Sequence, residues 1–423
     1  MTTQSLDQPF VATTALRSVN FFNGRLLTGD DLSREQATQV ARLARLGRAE
    51  GDGIAWGFEV AEQPALSTTA QPVVTVTAGL AVSRAGTAIE LAADLDVALY
   101  RDATAAPAGA EPGNLFADCQ LDAPGTYTAG AGVYLLTVAP GEQAEGRAPV
   151  NGLGNTDAPC NVALEAEALA FRLIRVSIPH DELVAKALLR NRIAYACFGT
   201  DALAGAVADP FGTPVTSYGL LDTLRTQTLS DDEVPLALIG WSIDDGIQFV
   251  DLWSVRRRIT PRPNEGDWAG LVSSRRRAEG EAMFLQFQEQ IVELAGGPSP
   301  LTAQATDTFE LLPPVGLLPI GGPGQPPGFS HGAFFAGMKT RDPMFVEAAH
   351  VEDILRTASL FPPIDVSSQE LVWLYEVRAN IDPAATATPV TQHYLLFTNG
   401  QVPYAGDPRF DLAYWNYANY ALT

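Results

Sequence analysis

Residues 20–48, NFFNGRLLTGDDLSREQATQVARLARLGR, restrict the fold of this chain more than any other stretch. Asn23-Gly24 sits between the pairs Phe21-Phe22 and Leu26-Leu27, which predicts a short strand that turns before a helix begins. Thr28 is the expected N-cap: its hydroxyl can accept from an otherwise unpaired first-turn amide, and Asp30 and Asp31 suit the positive end of the helix dipole. Along the helix, Leu32, Val40, Leu43 and Leu46 form a narrow apolar stripe among Arg34, Glu35, Gln36, Gln39, Arg42 and Arg45. A stripe so narrow fits a seam between helices better than a wide core face.

Past this helix the chain takes on strand character. In GDGIAWGFEV, residues 51–60, Ile54, Trp56, Phe58 and Val60 recur at a period of two, as in a strand with one buried face. Val73–Val82 and Ala88–Leu91 continue the pattern, with Gly79 and Gly86 as turns. This order of segments, FFNGRLLTGDDL…EQ, then WGFEV, then VTVTAGLAVSRAGTAIEL, resembles the opening of a family of structural proteins encoded with phage-tail-like contractile injection systems and some phage tails. The resemblance covers about the first quarter of the chain, with fainter echoes at LRNRIAYACFG (189–199) and FVDLWSVRRR (249–258). It implies a structural role and gives no residue a chemical one.

The 423 residues are enough for several domains, and 46% hydrophobic content is that of a folded protein. Thirty-seven glycines and 30 prolines favour short strands and ordered loops. The expected class is α+β, mostly β. Its expected parts are an N-terminal arm and docking helix (1–50), an antiparallel β domain (51–160), an α+β domain with a hairpin and one long central helix (161–300), a Pro/Gly-rich linker (301–330) and an aromatic-rich C-terminal α+β domain (331–423).

Forty-nine acids against 27 bases give a net charge of −22, which argues against nucleic acid or an anionic membrane as the main partner. Cys119, Cys160 and Cys197 are few, odd in number and far apart, so neither a disulfide framework nor a zinc site is expected and folding in a reducing cytoplasm is. The first 20 residues lack signal-peptide character and no apolar run reaches the roughly 18–20 residues a bilayer span needs. The expected location is therefore the cytoplasm, then a virion or extracellular particle.

Within 161–300, FRLIRVSI reads as a strand, residues 181–199 as an ordinary amphipathic helix stopped by Gly199, and residues 235–253 as a hairpin turning at Asp244-Asp245-Gly246. Two arginine triplets, Arg256–Arg258 and Arg275–Arg277, bracket the start of the long helix. Trp268, Leu271, Arg275, Ala278, Ala282, Leu285, Glu289 and Val292 are spaced by threes and fours, while Phe284, Phe287, Ile291 and Leu294 mark a second face. Trp268, Arg275, Arg276, Arg277, Leu285 and Phe287 thus join Leu32, Val40, Leu43 and Leu46 as candidate interface residues. Residues 140–154 and 311–328 read as loop and linker from their glycines and prolines. The tail FDLAYWNYANYA offers Trp415, Tyr417 and Tyr420 as surface-binding candidates, by clamping a partner or stacking on a sugar.

Catalytic patterns are missing from the sequence. His180, His331, His350 and His393 form no zinc-helix pair, and there is no nucleophile elbow, phosphate loop or dinucleotide fingerprint. Acid pairs such as Asp30-Asp31, Asp231-Asp232 and Asp365 with Glu370 are ordinary in so acidic a chain. No cofactor or metal is expected, and the chain is not expected to be an enzyme. The leading expectation is a structural component of a contractile injection system or phage tail, at the baseplate or as a fibre-like appendage. It would be a homo-oligomer, trimeric by preference, that also meets other baseplate, spike or sheath subunits. The alternatives are a receptor or carbohydrate-binding adhesin of the same particle, contacting a cell-surface glycan, and a particle-borne hydrolase.

Overall fold

A computed structural model describes residues 14–102, 126–128, 130–149, 160–176, 186–199, 209, 211, 219–259, 274–321, 328–378 and 394–402. The fold is mixed α+β with somewhat more strand than helix, several antiparallel sheets, an N-terminal helix and a buried C-terminal aromatic cluster. Trp268, His180, His393, Trp415, Tyr417 and Tyr420 lie outside the described residues.

Helix α1 spans Gly29–Glu50 and begins as the sequence predicts. Thr28 Oγ1 accepts from the Asp31 amide while the Asp31 carboxylate accepts from the Thr28 amide, a reciprocal capping box. Before it, Asn23-Gly24 makes the expected turn, with Gly24 at φ 91°, but Phe21-Phe22 forms no strand.

Two small antiparallel sheets come next. β1 (Gly53–Gly57), β4 (Gly79–Val82) and β5 (Ala88–Leu91) form one; β2 (Val60–Glu62), β3 (Val73–Val76) and β6 (Leu95–Ala98) form the other. The single strand expected at 51–60 is therefore broken in two. Gly57 (φ 64°) and Phe58 (φ 54°) both adopt left-handed backbone, turning the chain from one sheet into the next and burying Phe58 completely while Trp56 stays half exposed. Guanidinium nitrogens of Arg256 donate to the carbonyls of Gly57 and Phe58, holding the break from across the fold.

β7 (Tyr100–Asp102) and β8 (Thr126–Thr128) pair with each other. β9 (Gly132–Pro149), β10 (Cys160–Val176), β11 (Val234–Ser242) and β12 (Gly246–Asp251) then make an antiparallel sheet in the order β10-β9-β11-β12. The β11–β12 hairpin turns at the expected place, with Gly246 at φ 75°. Residues 140–149 are not the loop their composition suggests. They pair residue by residue with 160–169 as a two-stranded ribbon beyond the reach of β11, so backbone pairing prevails over the glycines and prolines. The shared part of the sheet is buried on both faces: Leu136, Val138 and Ile239 pack on the small sheets, whereas Val133, Leu135 and Leu238 pack on α2 (Lys186–Phe198) and α3 (Leu220–Gln227). That explains why β11 reads as a continuous apolar run.

Helix α4 (Ser274–Ala295) leads into the C-terminal part. There β14 (Val315–Pro319), β19 (Tyr394–Asn399) and β18 (Leu371–Arg378) pair antiparallel, with β15 (Lys339–Thr340) and β16 (Met344–Glu347) parallel to β18. One face meets α4 through Phe287 and Ile291; the other meets α5 (Val351–Ala358) through Ile354 and Ala358. Part of the expected linker is core. β13 (Leu311–Leu312) pairs with β17 (Ile364–Asp365), and Leu312, Val315 and Leu318 are fully buried, so the leucines of that proline-rich stretch outweigh its composition.

Candidate interaction surface

Helix α1 is seated on its own chain by small residues. Thr38 is buried and its hydroxyl donates to the carbonyls of Arg17 (3.0 Å) and Arg34 (2.8 Å). Glu35 accepts from the Val19 amide at 2.9 Å and from Gln39 at 2.9 Å, and the Val19 bond holds its carboxyl below the usual range. Further along, the helix lies backbone to backbone against the β4–β5 turn. A Cβ on Gly47 would meet the Gly86 carbonyl oxygen at 2.2 Å, and one on Gly86 would meet that of Ala44 at 2.0 Å. Gly86 itself needs its φ of 90° for the turn, so neither glycine is replaceable without displacement.

This seat inverts ordinary helix burial. Thr38, Ala41, Ala44 and Gly47 face inward, and the apolar stripe faces out: Leu32 is 52% exposed, Val40 63%, Leu43 65% and Leu46 66%. The preceding Phe21, Phe22, Leu26 and Leu27 are exposed as well. Scattered exposed leucines need no account, but eight large apolar residues exposed on one helix and its lead-in are a liability for an isolated protein. Replacing Gly47 by valine is expected to dislodge α1 at a cost of about 1–3 kcal/mol, roughly a five- to 150-fold rise in amide exchange across residues 29–50. Hydrogen exchange with mass spectrometry measures it, and the C-terminal sheet serves as the unchanged reference.

The second predicted stripe divides. Phe287 is 1% exposed, between Phe309 and Phe397 with ring centroids 5.3 Å from each, so it belongs to the C-terminal core and leaves the set of surface candidates. Leu285 is half-buried and Val292 is 72% exposed. Of the second arginine triplet, Arg275 lies in the first turn of α4, Arg276 donates to the Leu360 carbonyl at 2.7 Å, and Arg277 is exposed. In the first triplet the Arg257 carbonyl accepts from the Ile54 amide at 2.7 Å and Arg258 pairs with Glu281 at 2.9 Å, so both serve the fold.

A polar cluster that sequence reasoning missed joins the two halves of the chain. Arg190 on α2 is buried, with Nε 3.3 Å from Asp251, Nη1 2.9 Å from both oxygens of Glu293 and Nη2 3.6 Å from Glu289. Asp251 is fully buried and also accepts from the Ser254 amide and hydroxyl and from Gln286. Burial alone would lower the Arg190 pKa, but Asp251 and the glutamates hold it above its ordinary value. Burial raises Glu289 despite Arg190. The helical periodicity of residues 181–199 placed Arg190 at a favourable dipole position; the signal overlooked is that α2 carries apolar residues nearly all round, which demands cover on every side.

Among the described residues no group of three or more His, Cys, Asp or Glu side chains could hold a metal ion. Buried Cys197 has its thiol pushed up to about 12 by desolvation, so it is inert. Asp31 caps α1, Asp231 lies 3.7 Å from Arg84, and Asp365 accepts from the Ser367 amide and hydroxyl. A cavity of about 10 Å³ lined by Asp52, Arg84, Arg225, Glu233 and Arg257 has room for about one water. Beside it, burial would raise the Glu233 pKa, yet the Ser230 amide, Arg172 at 2.6 Å and Thr137 hold it below the usual range. Stability from Glu233 is therefore complete above its unfolded pKa near 4.3 and is lost as pH falls through the lower folded value. Glu233→Gln should then be less stable than wild type at pH 7, with the difference shrinking below about pH 4 in urea titrations.

No helix among the described residues is long and apolar enough to cross a membrane. No family model matches the chain, and no curated protein matches it. Among solved structures the chain is similar to TssK, in its crystal structure, at 8% identity and a TM-score of 0.26, over 69% of this chain and 54% of that one. The chain thus spans about half the length of the TssK chain it matches, and an overlap this slight carries nothing about what this chain does.

Proposed function

We propose that this chain is a structural component of a contractile injection particle or phage tail, baseplate-associated or fibre-like, that works by oligomeric assembly and not by catalysis. Its partners are further copies of itself and neighbouring baseplate, spike or sheath subunits. It is folded in the cytoplasm and ends in the particle. The observation that carries the reading is the orientation of α1: a capped helix of 22 residues is fixed to its own chain by Thr38, Ala44 and Gly47 while its leucines face outward. Rigid fixation with an exposed apolar stripe is what a docking element requires, since little ordering entropy remains to be lost on contact. The test is to purify sheathed particles from the native host and quantify the chain by mass spectrometry. Recovery at a fixed ratio to the sheath subunit supports the reading; absence from particles while the chain is abundant in the lysate refutes it.

A further inference from the structure

We infer that the outward face of α1 pairs antiparallel with α1 of a second copy of this chain. The inference rests on the assembly reading above and specifies which surface performs it. Leu32, Gln36, Gln39, Leu43 and Leu46 succeed one another at spacings of four, three, four and three along the exposed side, the repeat of a two-helix seam. The ends of that seam are apolar and its middle is polar. Antiparallel pairing sets Leu32 against the partner's Leu43 and closes the centre with Gln36 donating to the partner's Gln39 Oε1, the Gln39 Nε2 being engaged by Glu35 of its own chain. Leu46 then reaches the start of the partner helix, where Leu26 and Leu27 stand exposed.

Charge chooses the direction. Glu35 and Arg42 lie seven residues apart and flank the stripe on the same side of the helix. In an antiparallel pair that side of each helix borders the same side of the other, so Arg42 meets the partner's Glu35, whose oxygens accept from Val19 and Gln39 of their own chain and keep lone pairs for a further donor. A parallel bundle, the geometry of a trimer, would instead set Glu35 beside Val40 and Arg42 beside Gly47, leaving both charges unmatched. The pattern thus favours two copies at this contact over the three expected from the sequence. Helix dipoles also oppose favourably in the antiparallel arrangement.

Sedimentation velocity on the full chain tests this. Wild type is expected to dimerise, Leu43→Glu to be monomeric, and Arg42→Glu to weaken the dimer at least tenfold by setting Glu35 against a new glutamate. Glu35→Arg combined with Arg42→Glu restores opposite charges and is expected to recover most of the affinity. Hydrogen exchange on each variant verifies that α1 remains folded. Failure of the double swap to recover affinity while α1 keeps its wild-type protection, a wild-type trimer through this helix, or a wild-type monomer at the highest concentration would each overturn the pairing. Particle incorporation of the wild type, measured separately, would then still stand or fall by itself.

Discussion

Replacing Asp251 by alanine is expected to destabilise the protein by about 3–5 kcal/mol, because it strands a buried guanidinium. Asp251 is fully buried and meets Arg190 at 3.3 Å, the Ser254 amide at 3.1 Å, the Ser254 hydroxyl at 2.7 Å and Gln286 at 3.0 Å. Glu293 and Glu289 would remain beside Arg190, but both are partly exposed and cannot replace the carboxylate on the inner side. Two of the bonded partners, Arg190 and Gln286, sit on α2 and α4, so the loss should loosen the two halves together. Urea unfolding that yields a midpoint close to wild type would show that solvent already reaches the cluster. Arg190→Met combined with Asp251→Ala should cost less than the sum of the two single changes, since the guanidinium that Asp251→Ala would strand is then gone.

Phe287→Ala is the second large effect, with about 3–5 kcal/mol expected from thermal or chemical unfolding. The ring is 1% exposed and contacts Phe309 and Phe397, and Phe397 in turn contacts Phe335 at 5.5 Å. Gly316 leaves no room for the surroundings to collapse in an orderly way: a Cβ there would fall 2.5 Å from Phe397 and 2.8 Å from Phe287, so the strand is already pressed against both rings. The loss should be confined to stability. Self-association, measured at a temperature where the variant is folded, should be unchanged, whereas a change would return Phe287 to the contact surface.

How much of this was legible in the sequence depends on which force dominates each segment. Thr28 with Asp31, Gly246 at its turn and Gly199 at the end of α2 result from local backbone chemistry, and the chain places them as read. The break at Gly57-Phe58 was hidden because apolar alternation continues straight across it; burial of the Phe58 ring and hydrogen bonds from Arg256, some 200 residues away, hold the left-handed backbone in place. Composition misled at 140–149 and 311–319, where pairing and burial override glycine and proline. For α1 the apolar stripe was legible, but not its outward direction. That direction depends on Gly47 meeting Gly86, a contact between two glycines that no periodicity announces.

Side-chain footprinting by carbene labelling, performed on the full chain over a range of concentrations, addresses the outward stripe directly. Leu32, Val40, Leu43 and Leu46 should be labelled strongly when dilute and become protected together as concentration rises, while Phe287 stays unlabelled throughout. Labelling of the four residues that is weak at every concentration, including the most dilute, would mean that the chain covers this helix itself, and the account of α1 as an assembly surface would be wrong.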